Sequence, residues 1–222
     1  MISAAISAAV FDLDGTLVDN IRFHFEAFRA LAERLGVAAM DEATFQSFNG
    51  LKNEDIFPRF VGRTLTRDEI QALSDEKEAT YRALYAPKLV AHRGAEALLE
   101  RLHTAGVKLA VASSAPPANR TMVLDGLRWN ERFDAVVASE GLRGKPAPDV
   151  FLAAAERLGV PPHACVAFED AENGVRAAAA ASMLVVGVTT NVAPDALAAA
   201  GARFTIADFV SLPPELDAML PR

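Results

Sequence analysis

The chain has 222 residues, of which 51% are hydrophobic and 23% are charged, so it holds enough apolar material for one large domain or for a domain with a smaller insert. Its 29 acidic residues outnumber the 22 basic ones, and the net charge of −7 argues against a nucleic acid as partner. A small phosphorylated metabolite is compatible with this charge, because its binding depends on a local pocket.

The sequence carries no sign of export or of membrane insertion. The single cysteine, Cys165, lies in an apolar run and cannot form an internal disulfide. The apolar N-terminus lacks a basic region, and no apolar stretch reaches the roughly 18 residues of a membrane span. We therefore expect a cytoplasmic protein without membrane contact. The sequence does not determine the oligomeric state, and a monomer is the working expectation.

Short apolar runs alternate with helical segments from about residue 92 onward, which predicts a parallel α/β sheet. Most runs are nearly continuous, as expected of strands covered on both faces. The predicted strands are residues 5–13, 107–113, 135–139, 164–169, 184–188 and 203–206. Helical spacing predicts helices at residues 94–105, 148–158 and 171–181, with Gly106 and Gly159 as C-terminal caps.

Residues 20 to about 90 interrupt this alternation, since they contain no convincing strand and are typical of three or four helices. The chain would cross between the two parts near residues 17–20 and 87–93, which makes a natural hinge. We therefore predict a Rossmann-like, three-layer core with a parallel sheet, formed by residues 1–18 and 92–222. An α-helical cap domain, residues 19–91, is inserted after the first strand.

Two cap helices have predicted boundaries. The first begins at an Asp19/Asn20 cap and ends at Gly36. The last opens with the spacing of a capping box, from Thr66 to Glu69.

Two carboxylates, Asp12 and Asp14, lie at the end of the first predicted strand, followed by Gly15 and Thr16. In a parallel sheet, ligands bind at the carboxyl ends of the strands. Two carboxylates at such a place can divide the work of phosphoryl transfer, because one can attack phosphorus while the other moves a proton. The pattern predicts a magnesium-dependent phosphoryl-transfer enzyme with Asp12 as its nucleophile.

Three further clusters of polar residues accompany Asp12 and Asp14. Ser113 and Ser114 end the second predicted strand and offer hydroxyl and backbone N–H groups to a phosphoryl oxygen, while Lys145 supplies a positive charge fixed by neighbouring prolines. Glu169 and Asp170 end the fourth predicted strand and offer oxygen ligands suited to Mg²⁺. Taken singly, Lys145 is also typical of a loop, and the pair Glu169 and Asp170 is also typical of a helix cap. Together the clusters favour phosphoryl transfer, which requires charge neutralisation and in-line positioning.

The segments Phe-Asp-Leu-Asp-Gly-Thr, Ala-Ser-Ser, Gly-Lys-Pro-Ala-Pro-Asp and Phe-Glu-Asp-Ala-Glu-Asn-Gly-Val resemble the four motifs of the haloacid dehalogenase superfamily. The sequence is most similar to its β-phosphoglucomutase and sugar-phosphatase group. The resemblance implies that Asp12 becomes an aspartyl phosphate and that Asp14 is the general acid and base. It implies Mg²⁺ bound by Asp12, the Asp14 carbonyl and Asp170, with Glu169 nearby. The residues implied to hold the phosphoryl group, the substrate or a metal-bound water are Ser113, Lys145 and Asn173.

Periodicity places two polar residues on apolar faces of cap helices. His24 shares a face with Ile21, Phe28, Leu31 and Leu35, and Lys77 shares one with Ile70, Leu73, Tyr81 and Leu84. The alternatives are a histidine satisfied inside the core and a lysine that extends its ammonium to water. Both positions, and Gly50, match residues that face the cleft between cap and core in β-phosphoglucomutases. The resemblance therefore favours roles in the cleft for His24, Gly50 and Lys77.

The sequence departs from the mutase pattern where a second phosphate would bind. Such mutases use a cap arginine and a Ser-Lys-Asn stretch, whereas Asn53 and Ala115-Pro116-Pro117 stand here and supply no cation. Lys52 and Arg22 are the remaining candidates for a positive charge that would bind a second phosphate. We expect water as acceptor, and hence a phosphatase acting on a small phosphomonoester such as a sugar phosphate. The alternatives are a mutase of the β-phosphoglucomutase type and, less favoured, a non-catalytic module that binds a phosphorylated metabolite.

Overall fold

The computed structural model describes residues 6–221, which contain one sheet of six parallel strands in the order β3-β2-β1-β4-β5-β6. This arrangement confirms the predicted α/β class with a Rossmann-like core. The strands are β1 (Ala8–Phe11), β2 (Lys108–Ser113), β3 (Ala135–Ala138), β4 (Cys165–Glu169), β5 (Leu184–Val188) and β6 (Phe204–Ile206).

The first strand is shorter than predicted. The sequence predicts residues 5–13, whereas β1 spans Ala8–Phe11, and Ala5 lies outside the described residues. Leu13 lies in a turn and is fully buried there, so its apolar character reflects burial and not an extended backbone. Burial of a turn residue is a tertiary effect that a strand pattern does not reveal.

Helices cover both faces of the sheet, which makes three layers. One face packs against α5 (Ala95–Thr104), α6 (Pro117–Gly126) and α10 (Pro214–Met219). The other packs against α7 (Asp149–Leu158), α8 (Glu172–Ala180) and α9 (Pro194–Ala200). Helices α5, α7 and α8 confirm the predicted ones. Helices α6, α9 and α10 were not predicted, because each opens with proline, which is also a common loop residue.

Four α-helices and one short 3₁₀ helix (Ala86–Lys88) lie between β1 and α5. The α-helices form the insert. They are α1 (Ile21–Leu35), α2 (Glu42–Phe48), α3 (Asn53–Val61) and α4 (Arg67–Tyr85). They enclose a hydrophobic cluster of their own, in which Phe57 is fully buried and Phe28 almost so. The predicted capping box is present, since Thr66 and Glu69 each accept a hydrogen bond from the other's backbone N–H.

The predicted ends of α1 are confirmed, with Asn20 as its N-cap residue and Gly36 as its C-cap, but the Asn20 side chain makes no capping hydrogen bond to the helix. The prediction that Leu84 lies on the buried face of α4 is wrong. Leu84 is 38% exposed, because the buried face of α4 continues from Lys77 and Tyr81 to Tyr85, one helical turn apart each time.

The two chain crossings lie side by side. Val18 forms isolated bridges with Asp14 and Ala91, and the His92 N–H donates to the Leu17 carbonyl at 2.8 Å. The helical insert therefore begins and ends at one place beside β1. Across residues 6–221, no helix has the length and apolar character needed to cross a bilayer.

Candidate active site

The carboxyl ends of β1, β2 and β4 open into one cavity that the helical insert closes from the other side. Phe11 of β1 pairs with Val111 of β2 and Phe168 of β4, so the residues that follow these strands meet at the same edge. The sheet contributes a wall that includes Asp12, Asp14, Ser113, Ser114, Glu169 and Asp170. The insert contributes a wall that includes His24, Asn49, Gly50, Asn53, Lys77 and Glu78.

Lys145 is buried beside the end of β1. Its Nζ donates to Asp12 Oδ1 at 2.5 Å, to Glu169 Oε1 at 2.5 Å and to the Ala112 carbonyl at 3.2 Å. Burial opposes the charged ammonium, but the two carboxylates outweigh burial and raise the pKa of Lys145 above its usual value. A buried cation with three acceptors is not a solvated loop residue.

Asp12, Glu169 and Asp170 form a buried acidic cluster, with one oxygen of each within 4.8 Å of the others. Burial raises the pKa of Asp12 to about 8, although Lys145 favours its ionised form. Burial and the charges of Glu169 and Asp12 also raise the pKa of Asp170 well above its usual value.

The cluster has the properties of a site for a hard divalent cation. Thr16 Oγ1 donates to Asp170 Oδ1 at 3.0 Å, whereas the buried Asp170 Oδ2 has no hydrogen-bond partner. Three carboxyl groups with one lysine leave an excess of acceptors and of negative charge, which a cation bound by oxygen ligands would neutralise. The residues present therefore fit a divalent metal.

Two glycines leave room for this cluster. A Cβ at Gly15 would collide with the Asp170 carboxylate, and Gly15 also has a φ of +85°. A Cβ at Gly174 would collide with the Glu169 carboxylate. Any larger residue at either position would displace a member of the acidic cluster.

Asp14 is held by Asn20, which is fully buried. The Asn20 Nδ2 group donates to Asp14 Oδ1 at 2.5 Å and to the Tyr81 hydroxyl at 2.6 Å, while its Oδ1 accepts from the Gly15 N–H at 3.0 Å. His24 Nε2 lies 3.9 Å from Asp14 Oδ2, and its ring stacks on Tyr81 at 3.7 Å between centroids. These contacts therefore hold Asp14 in one orientation in the wall of the cavity.

Lys77 is buried and does not extend to water. Its Nζ lies 2.8 Å from His24 Nδ1 and donates to Glu78 Oε1 at 2.9 Å. Glu78 is also buried and accepts from Asn53 Nδ2 at 2.9 Å and from Asn119 Nδ2 at 2.7 Å. Burial opposes its charge, but Lys77, His24 and the hydrogen bonds outweigh burial and lower the pKa of Glu78 to about 2.

Of the remaining predicted residues, Ser114 and Asn173 contact the backbone of the insert, whereas Ser113 does not. Ser113 is buried, and its Oγ accepts from the Ala115 N–H at 3.0 Å. Ser114 Oγ donates to the Gly50 carbonyl at 3.0 Å. Asn173 Nδ2 donates to the Ser47 and Asn49 carbonyls, so the structure places its amide on the backbone of the insert.

Neither substitute cation lines the cavity. Lys52 Nζ donates to the Leu142 carbonyl at 2.6 Å and to Glu54 at 3.1 Å, on a different part of the surface. Arg22 is exposed and lies over the Phe23 ring. Ala115 and Pro116 do line the cavity and carry no charge.

Comparison with known proteins places this geometry in a family. The model of the haloacid dehalogenase-like hydrolase family matches residues 6–182. The chain belongs to this family.

Relatives within the haloacid dehalogenase-like hydrolases include both mutases and phosphatases. The chain is 33% identical over 192 residues to the β-phosphoglucomutase of Bacillus subtilis (strain 168), which covers 82% of this chain and 83% of that protein. It is 30% identical over 179 residues to the phosphorylated carbohydrates phosphatase of Thermotoga maritima, covering 80% and 82%. A crystal structure of a β-phosphoglucomutase from Clostridium difficile is similar with a TM-score of 0.84 at 26% identity, covering 96% of both chains. The chain is a phosphoryl-transfer enzyme.

Sequence reasoning missed three residues of this haloacid dehalogenase-like site. Asn20 was interpreted as a helix cap, although it holds Asp14. Glu78 adjoins Lys77 in the sequence, and its place on the buried face of α4 was the available signal. Asn49, which lines the cavity, was seen only as part of the loop around Gly50, and no sequence pattern distinguishes it.

Proposed function

We propose that the protein is a phosphatase that hydrolyses a small phosphomonoester, such as a sugar phosphate, through an aspartyl phosphate on Asp12. The relatives support this substrate class, since one is a phosphorylated carbohydrates phosphatase and another a β-phosphoglucomutase. The position of Asp12 in the cavity, in contact with Lys145, supports its role as nucleophile.

The reaction proceeds in two displacements. A carboxylate oxygen of Asp12 forms a bond to phosphorus while the ester P–O bond breaks, and Asp14 gives its proton to the departing alcohol oxygen. Water then attacks the phosphorus of the aspartyl phosphate, Asp14 takes a proton from that water, and inorganic phosphate leaves with Asp12 restored. Lys145 and Ser113 hold the phosphoryl oxygens in both steps. The positive charge of Lys145 and the hydrogen bonds of both residues offset the negative charge that develops on these oxygens.

The cofactor that fits the acidic cluster is Mg²⁺, which Asp12 and Asp170 would hold together with the Asp14 carbonyl and Glu169. The unpartnered Asp170 Oδ2 is the observation that favours a cation here. When bound, the ion supplies positive charge that offsets the repulsion between a carboxylate nucleophile and a phosphate dianion.

The charge of the insert wall favours water over a second sugar phosphate as acceptor. A mutase must retain a bisphosphate, and a second phosphate requires a cation at the far end of the cavity. Lys77 is the only lysine or arginine that lines the cavity in the described residues, and its charge is already matched by Glu78. This pairing is the single observation that carries the assignment as a phosphatase.

Residues 19–91 act in this proposal as a cap domain that opens to admit the substrate and closes over it. The side-by-side crossings at Val18 and Ala91 support one hinge for this motion. Closure excludes bulk water, while one water molecule must be admitted for the second displacement.

The test is a product balance with β-glucose 1-phosphate, Mg²⁺ and a bisphosphate primer. The phosphatase is expected to release inorganic phosphate in step with substrate loss, and a screen of phosphorylated metabolites then ranks its substrates. Formation of glucose 6-phosphate without matching phosphate release would assign the protein as a mutase. Binding of the screened metabolites without phosphate release from any of them would contradict the proposed phosphatase function.

A further inference from the structure

Lys52 forms a side-chain hydrogen bond from the insert to the core, outside the cavity. The residue lies directly before α3, and its Nζ donates to the carbonyl of Leu142 at 2.6 Å, although 90 positions separate the two in the sequence. The Lys52 side chain is only 14% exposed, and its Nζ also donates to Glu54 Oε1 at 3.1 Å. The two acceptors together hold the ammonium against the core.

The Leu142 carbonyl belongs to the segment that carries Lys145. Both residues lie between β3 and α7, and Lys145 extends from this segment to Asp12. The aliphatic stem of Lys52 packs on the same segment, because a Cβ at Gly144 would come within 3.2 Å of Lys52 Cγ. A lysine of the insert therefore contacts, through its ammonium and its stem, the backbone that positions a second lysine in the cavity.

This hydrogen bond favours the closed position of the insert. In the part of the chain that the structure describes, no donor other than Lys52 reaches the Leu142 carbonyl. When the insert opens, water can bond to both the ammonium and the carbonyl. If the ammonium is removed, the carbonyl loses its partner in the closed form alone. Removal of the donor therefore disfavours the closed form and leaves the open form unaffected.

We propose that Lys52 is a positioning residue that couples closure of the insert to the placement of Lys145. Closure brings the Lys52 ammonium to the Leu142 carbonyl, and this bond fixes the segment from which Lys145 reaches Asp12 and the phosphoryl group. The inference rests on the proposed function, because it uses the motion of the insert and the phosphoryl-binding role of Lys145. Lys52 itself touches neither the substrate nor the reacting atoms.

The test measures the separation of insert and core by pulsed electron spin resonance. Spin labels are attached to cysteines that replace the exposed Glu33 on α1 and Glu156 on α7, while the native Cys165 is buried. Lys52→Met keeps the aliphatic stem and removes the donor. It is expected to raise the ratio of open to closed protein about fivefold and to lower kcat/KM for phosphate release by a similar factor. Arg59→Met removes an exposed cation from the same groove and should change neither quantity.

Two further variants separate the hydrogen bond from a loss of folding. Lys52→Arg retains a donor and is expected to stay within about twofold of the parent in both measurements. Gly144→Ala pushes on the Lys52 stem, so it should promote opening in the parent but not in Lys52→Ala, where the stem is absent.

The proposal would be overturned by equal open-to-closed ratios in the parent and Lys52→Met, by an equal shift in Arg59→Met, or by wider opening with unchanged kcat/KM. The distance measurement requires no turnover. If no ester releases phosphate, the phosphatase function fails, while the spin labels still decide whether Lys52 holds the insert closed.

Discussion

The two walls of the cavity treat charge in opposite ways. On the sheet wall, Asp12, Glu169 and Asp170 lie together with Lys145 as their cation, and one buried carboxylate oxygen has no partner. On the insert wall, Lys77 and Glu78 neutralise each other. The sheet wall carries an excess of negative charge, whereas the charges of Lys77 and Glu78 on the insert wall balance each other. In the proposed function, the sheet wall carries out the chemistry.

The largest expected effect is the removal of Asp12, the proposed nucleophile, from the sheet wall. Asp12→Asn keeps the shape of the side chain but not its nucleophilicity, so kcat for phosphate release is expected to fall at least about 10³-fold. Asp41→Asn, a change of the same kind at the exposed cap of α2, serves as control and should retain full turnover. Unchanged turnover of every accepted ester by the Asp12 variant would make the assignment of the nucleophile wrong.

The second effect concerns the metal. The pKa of Asp170 is higher in the folded protein than in the unfolded chain, where it is about 3.9. Without a bound cation, ionisation of Asp170 therefore destabilises the fold increasingly as the pH rises above about 3.9. The Asp170→Asn variant should therefore melt at a higher temperature than the parent in EDTA near pH 8, with the difference vanishing near about pH 4. Added Mg²⁺ should raise the melting temperature of the parent alone. Equal stabilisation of both proteins by Mg²⁺ would contradict the assigned site.

A smaller effect is expected where the two walls meet. Asn20→Ala releases the Asp14 carboxylate from its donor, so kcat should fall by roughly 10- to 100-fold with little change in KM. Thr66→Ala is the control for lost stability, because it breaks the capping box, costs about 1 kcal/mol and lies away from the cavity. A similar kcat for the two variants would show that Asn20 is merely structural.

The smallest effect on turnover is expected from the insert wall. Glu78→Gln removes the partner of Lys77 and should cost about 3 kcal/mol of unfolding free energy at pH 7, given a pKa lowered to about 2. A carboxyl group whose pKa is lowered by folding stabilises the fold at pH values above its pKa in the unfolded chain. This stabilisation is lost as the pH falls towards 2.

The difference in urea-unfolding free energy between Glu78→Gln and the parent should therefore shrink by roughly half at about pH 3. The freed Lys77 should also raise activity on a bisphosphate relative to the matching monophosphate. A difference in unfolding free energy that does not depend on pH would show that the ionised form of Glu78 does not stabilise the fold.

The sheet wall could be predicted from the sequence because its residues follow strands, and parallel strands bring their ends to one edge. Asp12, Ser113 and Asp170 are far apart in the chain, but each lies within two residues of the position at which Phe11, Val111 and Phe168 pair across β1, β2 and β4. The alternation of apolar runs and helices predicted that these strands are parallel, although it did not predict their order in the sheet.

The polar contacts of the insert could not be predicted in the same way. Asn20 meets Tyr81 and Glu78 meets Asn119, contacts between separate helices that depend on packing angles. Periodicity identified the buried face that holds Lys77 but not its partner, because a helical pattern gives the face of a residue and not what packs against it. The misplacement of Leu84 has the same cause.

The most direct measurement follows the phosphoryl group through a single turnover. Excess enzyme is mixed with a sugar monophosphate, quenched in acid at successive times, and the peptide that contains Asp12 is examined by mass spectrometry. A phosphoryl group on Asp12 is expected to appear and then to decay at the rate at which inorganic phosphate forms. A phosphoryl group on another residue, or decay by transfer to a second sugar phosphate instead of water, would contradict the account.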